Sequence, residues 1–215
     1  MPITPAIAYN TLVANPGDFL RRYPVRIFGA TAASGVAMYV MDNRGQSRRP
    51  GSVLGTLNMH TTESFDVRSA AIVFGGNGHP FSAHSVHMDV GTGAMGFYRL
   101  DGTGPNIMVT GQLSGCSFVM MPVGANDVDV AHIKPHQITG KTLHDNLSNT
   151  FANAVIYGDS KDGGFYDSDT RVVSIVGVRF AGQWRIYAQK QNPGTSFDYS
   201  IKSVYQIYPT KEKLS

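Results

Sequence analysis

The sequence predicts a strand-rich α+β fold, two packed β-sheets with peripheral helices, and three observations carry that expectation. Short β-branched or aromatic runs recur along most of the chain, each bounded by Gly, Asn, Asp or Pro. The composition has 24 Gly and 11 Pro but only 15% charged residues, a profile of strands and turns rather than of long helices or disorder. Only one later segment has convincing helical periodicity.

In chain order, residues 4–22 predict a short helix broken near Asn15-Pro16, because a proline disfavours helical conformation in the residue before it. Strands are then expected over 23–31, 35–43, 52–62, 64–76, 84–90 and 94–100, with turns at Asp42–Gly45 and Leu100–Asn106. Further strands are expected over 106–113, 116–123 and 127–133, the first two meeting at the Ser114-Gly115 break. Residues 139–154 place Leu143, Leu147 and Phe151 at steps of four, one apolar stripe suited to lie against a sheet. Strands over 154–159, 170–180, 183–191 and 203–209 close the chain, with a hairpin turn at Ala181-Gly182. At 215 residues without an internal repeat, the chain is expected to form one domain spanning 1–215.

The formal charge of +3 is spread without a long basic run, which argues against a nucleic-acid surface. No segment reaches the length of a membrane span, and the N-terminal stretch lacks the charged start and apolar run of a secretory signal. A soluble protein is therefore expected, with no membrane partner, leaving its cell, if it does, by a route without a recognisable signal. The single cysteine, Cys116, cannot form an internal disulfide.

Cys116 follows Gly115 at the start of a strand, where its sulfur could face solvent, and a thiol needs a neighbouring base to act as a nucleophile. His132 stands on the next expected strand, which would pair back against the Cys116 strand across a short turn. The residue types alone leave two readings open: a Cys–His nucleophile, or a packed cysteine beside an idle histidine. A second cluster, His79, His84, His87 and Asp89, offers metal-binding side chains, but 84 and 87 fall on opposite faces of a strand and no helical His-x-x-x-His spacing exists. No metal and no cofactor is therefore expected. His136 is expected in a loop and His144 in a capping or surface role.

Thr110, the run Leu113-Ser114-Gly115-Cys116 and the pair His132-Ile133 together resemble the catalytic core of the glutamine deamidase toxins, the cytotoxic necrotizing factors and the Burkholderia lethal factor. Those proteins carry Leu-Ser-Gly-Cys with the nucleophilic cysteine last and their histidine on the following strand; in the Burkholderia protein a threonine six residues before the cysteine completes the site. The resemblance extends over residues 106–190 and implies a deamidase-toxin-like fold. It implies Cys116 as nucleophile held as a thiolate, His132 as acid and base, and Thr110 as the group that orients the imidazole. It further implies the backbone N–H groups of Gly115 and Cys116 as oxyanion donors, with Ser114 and Tyr166 lining the substrate. The aromatics Phe165 and Tyr166 also admit a plain role as loop anchors. The implied partner is a host protein carrying the target glutamine, of the GTPase or translation-factor class, reached by secretion or delivery into the host cytosol. A non-catalytic β-sandwich binding or structural domain, and a Cys–His protease or transglutaminase, are the competing readings.

Overall fold

In the computed structural model, which describes residues 3–28, 33–49, 60–70, 77–90, 95–159, 172–193 and 199–215, the N-terminal helical segment breaks at Asn15, as predicted. The Thr4 hydroxyl starts α1 (Pro5–Ala14) by accepting the Ile7 N–H, and the Asn15 side chain starts α2 (Pro16–Arg22) by accepting the Asp18 N–H. Both helices begin with proline, whose missing N–H has no intrahelical acceptor to lose at that position.

The described strands are β1 (Val25–Phe28), β2 (Gly35–Arg49), β3 (His60–Ser69), β4 (His79–Val86), β5 (Met88–Val90), β6 (Tyr98–Leu100), β7 (Ile107–Thr110), β8 (Ser117–Pro122) and β9 (Val128–Lys134). Helix α3 (Gly140–Thr150) comes next, and then β10 (Val155–Tyr157), β11 (Val172–Phe180), β12 (Gln183–Pro193), β13 (Tyr199–Tyr208) and β14 (Glu212–Leu214). They form two sheets, one of nine strands in the order β1-β3-β2-β4-β7-β11-β12-β13-β14 and one ordered β10-β8-β9-β5, with β6 also paired to β9. The predicted strand-rich α+β class with two sheets is therefore observed.

Alternation along the strands assigns the layers. Tyr39, Met41, Phe65, Val67, Phe81 and Ala83 face α1 and α2, meeting Ala8, Leu12, Phe19 and Leu20 in one buried cluster. On the other face of the nine-stranded sheet, Val86, Met108, Val173, Ile175, Trp184 and Ile186 pack against Phe118, Met120, Val128 and Val130 of the smaller sheet. The outer face of that smaller sheet, Val119, Ala131 and Ile133, is covered by Leu143 and Leu147 of α3. The order through the molecule is α1/α2, large sheet, small sheet, α3. Among the described residues no helix is long and apolar enough to cross a membrane.

Four expectations require correction. The turn predicted at Asp42–Gly45 is a passage of β2: Asn43 pairs with Phe65 and Gln46 with Glu63, so Arg44 and Gly45 oppose Ser64 alone and form a bulge. Within that passage Arg44 joins Arg26 and Arg68 around the fully buried Asp66 carboxylate, at 2.9, 2.9 and 2.7 Å. The single strand predicted over 84–90 divides at His87, β4 staying in the large sheet while β5 crosses to the small one. β4 also begins earlier, at His79, because at Pro80 it pairs only with β2 and no ladder bond to β7 is lost to the missing N–H. Helix α3 ends at Thr150 instead of running to 154, since Phe151 adopts a non-helical backbone (φ −117°, ψ 74°) as its C-cap. Finally, the strands expected at 52–62 and 64–76 meet without a break in β3, residues 52–59 and 71–76 lying outside the described set.

The Ala181-Gly182 hairpin is as predicted: both residues have positive φ (49° and 83°), the two-residue turn whose twist matches its strands. The Leu100–Asn106 turn is present too, held by Arg179, which donates to the Asn106 side chain and to the Asp101 and Gly104 carbonyls.

Candidate active site

β8 and β9 pair antiparallel as the sequence predicts, with Phe118 directly opposite His132. Cys116 lies two residues before Phe118, which puts it on the same face as Phe118 and His132 and diagonal to the imidazole. That face points at the large sheet, and Cys116 belongs to the same buried cluster as Phe118. On the other side of β9, the parallel strand β5 sets Met88 in register with His132. The Cys116 sulfur contacts the Met88 sulfur at 3.7 Å, so Met88 touches the thiol from the position beside the histidine.

Thr110 ends β7, the large-sheet strand that faces this edge, and its hydroxyl makes two hydrogen bonds. Oγ1 donates to the Val86 carbonyl at 2.8 Å, an acceptor that cannot return a proton. Its one hydrogen is thereby committed, so the 2.7 Å contact with His132 Nδ1 requires the Nδ1–H to donate to Oγ1. A neutral His132 therefore carries its proton on Nδ1 and presents a bare lone pair on Nε2. That nitrogen is buried and makes no hydrogen bond among the described residues.

The electrostatics follow from burial. His132 is 1% exposed, and desolvation, reinforced by the neighbouring His87, pushes its pKa down to about 3. Burial pushes the Cys116 thiol up, with a backbone hydrogen bond at Ser114 and the charge of Lys134 acting in the opposite direction. Both shifts favour the uncharged partners. Both therefore run toward thiol and imidazole and against the thiolate–imidazolium pair that the sequence resemblance implies. A further expectation is corrected here: Cys116 is only 5% exposed rather than presented to solvent, and β5 brings Met88 onto its sulfur.

The turn that delivers Cys116 is pinned at both ends. Leu113 exchanges backbone hydrogen bonds with Val173 of β11 at 2.9 and 3.0 Å, and Gly115 takes a φ of 96°, which side chains rarely adopt. Gly140, the first residue of α3, comes so close that a β-carbon on it would lie 2.5 Å from the Gly115 carbonyl oxygen. Gly158, just after β10, would place a β-carbon 2.3 Å from the Ser117 hydroxyl. Sequence reasoning did not single out Met88, Gly140 or Gly158. A signal existed for Gly140, a residue of poor helix propensity at the start of a helix already capped by Thr139.

Ser114 is exposed and Gly115 half-buried beside the turn, whereas Phe165 and Tyr166 lie outside the described residues. The histidine cluster is dispersed. His84 is in the large sheet with Nδ1 2.8 Å from the Tyr98 hydroxyl and Nε2 3.3 Å from the Thr103 carbonyl, while Asp89 is in the small one. His136 lies in the loop after β9, as expected, and is exposed. His144, expected at the surface, is buried between α3 and Gly158, since the covered stripe of the helix is wide enough to include it next to Leu143.

No protein-family model matches the chain, and no curated protein matches it. Among solved structures, the C-terminal domain of CNFy from Yersinia pseudotuberculosis is similar with a TM-score of 0.47 and 11% sequence identity, over 98% of this chain and all of that one.

Proposed function

We propose that this chain is a toxin-like protein-glutamine deamidase, hydrolysing the side-chain amide of a glutamine in a host protein with Cys116 as nucleophile and His132 as acid and base. The observation that carries the reading is the Thr110–His132 hydrogen bond, which fixes the tautomer and leaves Nε2 as a proton acceptor on the face that Cys116 shares. The motif Leu113–Cys116 with Thr110 and His132-Ile133 supplies the resemblance that selects glutamine deamidation among Cys–His chemistries.

In this reading the substrate amide displaces Met88 from the sulfur. Nε2 accepts the Sγ proton as sulfur attacks the amide carbon; the S–C bond forms and the carbonyl π pair moves to oxygen. Backbone N–H groups of Gly115 and Cys116 hold that oxyanion, and the positive φ of Gly115 shapes the turn that presents them. The imidazolium then protonates the nitrogen, the C–N bond breaks, and ammonia leaves a thioester. Nε2 next deprotonates a water that attacks the thioester carbon, and the thiol leaves with that proton. Starting from neutral partners, each proton is transferred within the site and none is needed from solvent. An amine in place of water would give transglutamination, and a backbone amide in place of the side chain would give proteolysis.

The test is mass spectrometry of host-cell proteins exposed to the wild type or to Cys116→Ala. A glutamine converted to glutamate by the wild type alone is expected; identical spectra would sink the reading. One observation favours a non-catalytic β-sandwich module instead: the 5% exposure of Cys116. Alkylation separates the two, because a site that opens for substrate lets iodoacetamide reach Cys116 in the folded protein, and a static core cysteine is protected until unfolding.

A further inference from the structure

With the thiol and the imidazole both buried, any step that leaves negative charge on sulfur is helped by a cation held nearby. The β8–β9 ladder runs from Pro122 opposite Val128 to Ser117 opposite Ile133, and its next position sets Cys116 against Lys134, the last residue of β9. Alternation puts Lys134 on the face that His132 occupies two residues earlier. On its other side Lys134 pairs with Val90, in the same register that places Met88 against His132. Lys134 and Val90 are exposed while Cys116 and His132 are buried, so this pair lies at the exposed end of the ladder beside the buried thiol and imidazole.

We propose that Lys134 is a positioning residue of the thiol site, its ammonium attracting the negative charge that develops on Cys116 as the Sγ proton passes to His132 Nε2. The proton moves only between sulfur and imidazole; Lys134 keeps its own throughout. Geometry decides the sign of the net effect. Directly opposed residues have β-carbons about 5 Å apart, whereas two steps along a strand span about 7 Å, so the Lys134 side chain starts nearer the thiol than the imidazole, and its charge bears on Cys116 and not on His132. In the resting protein the Lys134 charge already opposes the upward push of burial on the thiol.

The surrounding charges do not duplicate this role. Asp89 of β5 pairs with Ile133 and so faces the other side of the small sheet. His87 precedes β5 and bears on His132, β8 and β7 bring only Cys116 and Thr110 to this end of the face, and His136 is exposed beyond the strand. The inference concerns the deamidase reading in turnover, but its effect on the thiol is measurable without a substrate.

The experiment is an NMR titration of the isotope-labelled cysteine β-carbon, which gives a single signal because the chain holds one cysteine. It compares the wild type with Lys134→Met, Lys134→Arg and, as a control in the other sheet, Lys202→Met. In low salt, Lys134→Met should raise the thiol midpoint by about half a unit, the size expected for an exposed charge in a largely aqueous dielectric. Lys134→Arg should keep the wild-type midpoint, and 1 M salt, with a Debye length of about 3 Å, should narrow the difference. Midpoints that coincide in wild type and Lys134→Met would overturn the role, as would an equal shift in Lys202→Met, which would signal net charge alone. A failed deamidation assay with an intact Lys134 shift would remove the deamidase reading and leave this inference standing.

Discussion

The Thr110 hydroxyl gives its only proton to the Val86 carbonyl and receives the His132 Nδ1–H at 2.7 Å, so a threonine decides which imidazole nitrogen is basic. Thr110→Val preserves shape but removes the acceptor, leaving a buried N–H unpaired at about 1–3 kcal/mol. Urea denaturation should register that loss, and deamidation should fall roughly tenfold to a hundredfold as the ring loses its fixed tautomer. Thr110→Ser, which keeps both hydrogen bonds, should stay near wild type. Equal activity in the valine and serine variants would show that the hydroxyl does not orient the base.

Burial of His132 also makes the fold acid-sensitive. Its folded pKa of about 3 lies below an unfolded value of 6.5, so between these limits the unfolded chain binds a proton that the folded one does not. Stability is therefore lost as pH falls from about 6.5 toward 3, by at most about 5 kcal/mol from this residue. His84 and His144, also lowered by burial, act in the same direction. Urea midpoints measured at pH 7 and pH 4.5 should drop further in the wild type than in His132→Gln, in which the other groups are unchanged. Parallel drops would mean that His132 is not held neutral by the fold.

Met88 sets the accessibility of the nucleophile. Because its sulfur lies 3.7 Å from Sγ and its strand is only three residues long, Met88→Ala should uncover Cys116 with modest loss of stability. Iodoacetamide labelling of the folded protein at pH 8 should then be several-fold faster than in the wild type. An unchanged rate would place the barrier to the sulfur elsewhere.

The pairing of β8 with β9 was legible because consecutive apolar runs joined by a short polar turn form a hairpin, and hairpins put nearby residues face to face. The pairing offset was not legible: Phe118, not Cys116, stands opposite His132. Thr110 was found through the motif, yet its hydrogen to Val86 depends on the parallel pairing of β4 with β7, which local pattern does not encode. The same limit hid Met88. Residues 84–90 look like one strand because nothing in their alternation marks the crossing between sheets at His87, and only that crossing brings β5 against β9. At Asp42–Gly45 the turn-forming residue types were real, but a bulge used them, and the carboxylate that holds Arg44 there, Asp66, comes from β3.

The two close glycines allow the site to be disturbed without touching its reactive groups. A methyl at Gly158 would lie 2.3 Å from the Ser117 hydroxyl, which must rotate about χ1, and 3.1 Å from the Ser117 β-carbon, which must yield by a few tenths of an ångström. The start of β8 must shift, and because Cys116 is the preceding residue the sulfur moves with it. Overpacking of this kind costs about 1–3 kcal/mol. At Gly140 the obstacle is backbone, the Gly115 carbonyl at 2.5 Å, so a methyl there presses on the turn proposed to hold the oxyanion. With that carbonyl and the Asp159 β-carbon at 2.8 Å both unable to swing aside, Gly140→Ala should lose more stability than Gly158→Ala in urea denaturation, while both lose at least tenfold in deamidation. An active Gly140→Ala enzyme would show that the Gly115 turn tolerates displacement and that its backbone is not the oxyanion donor.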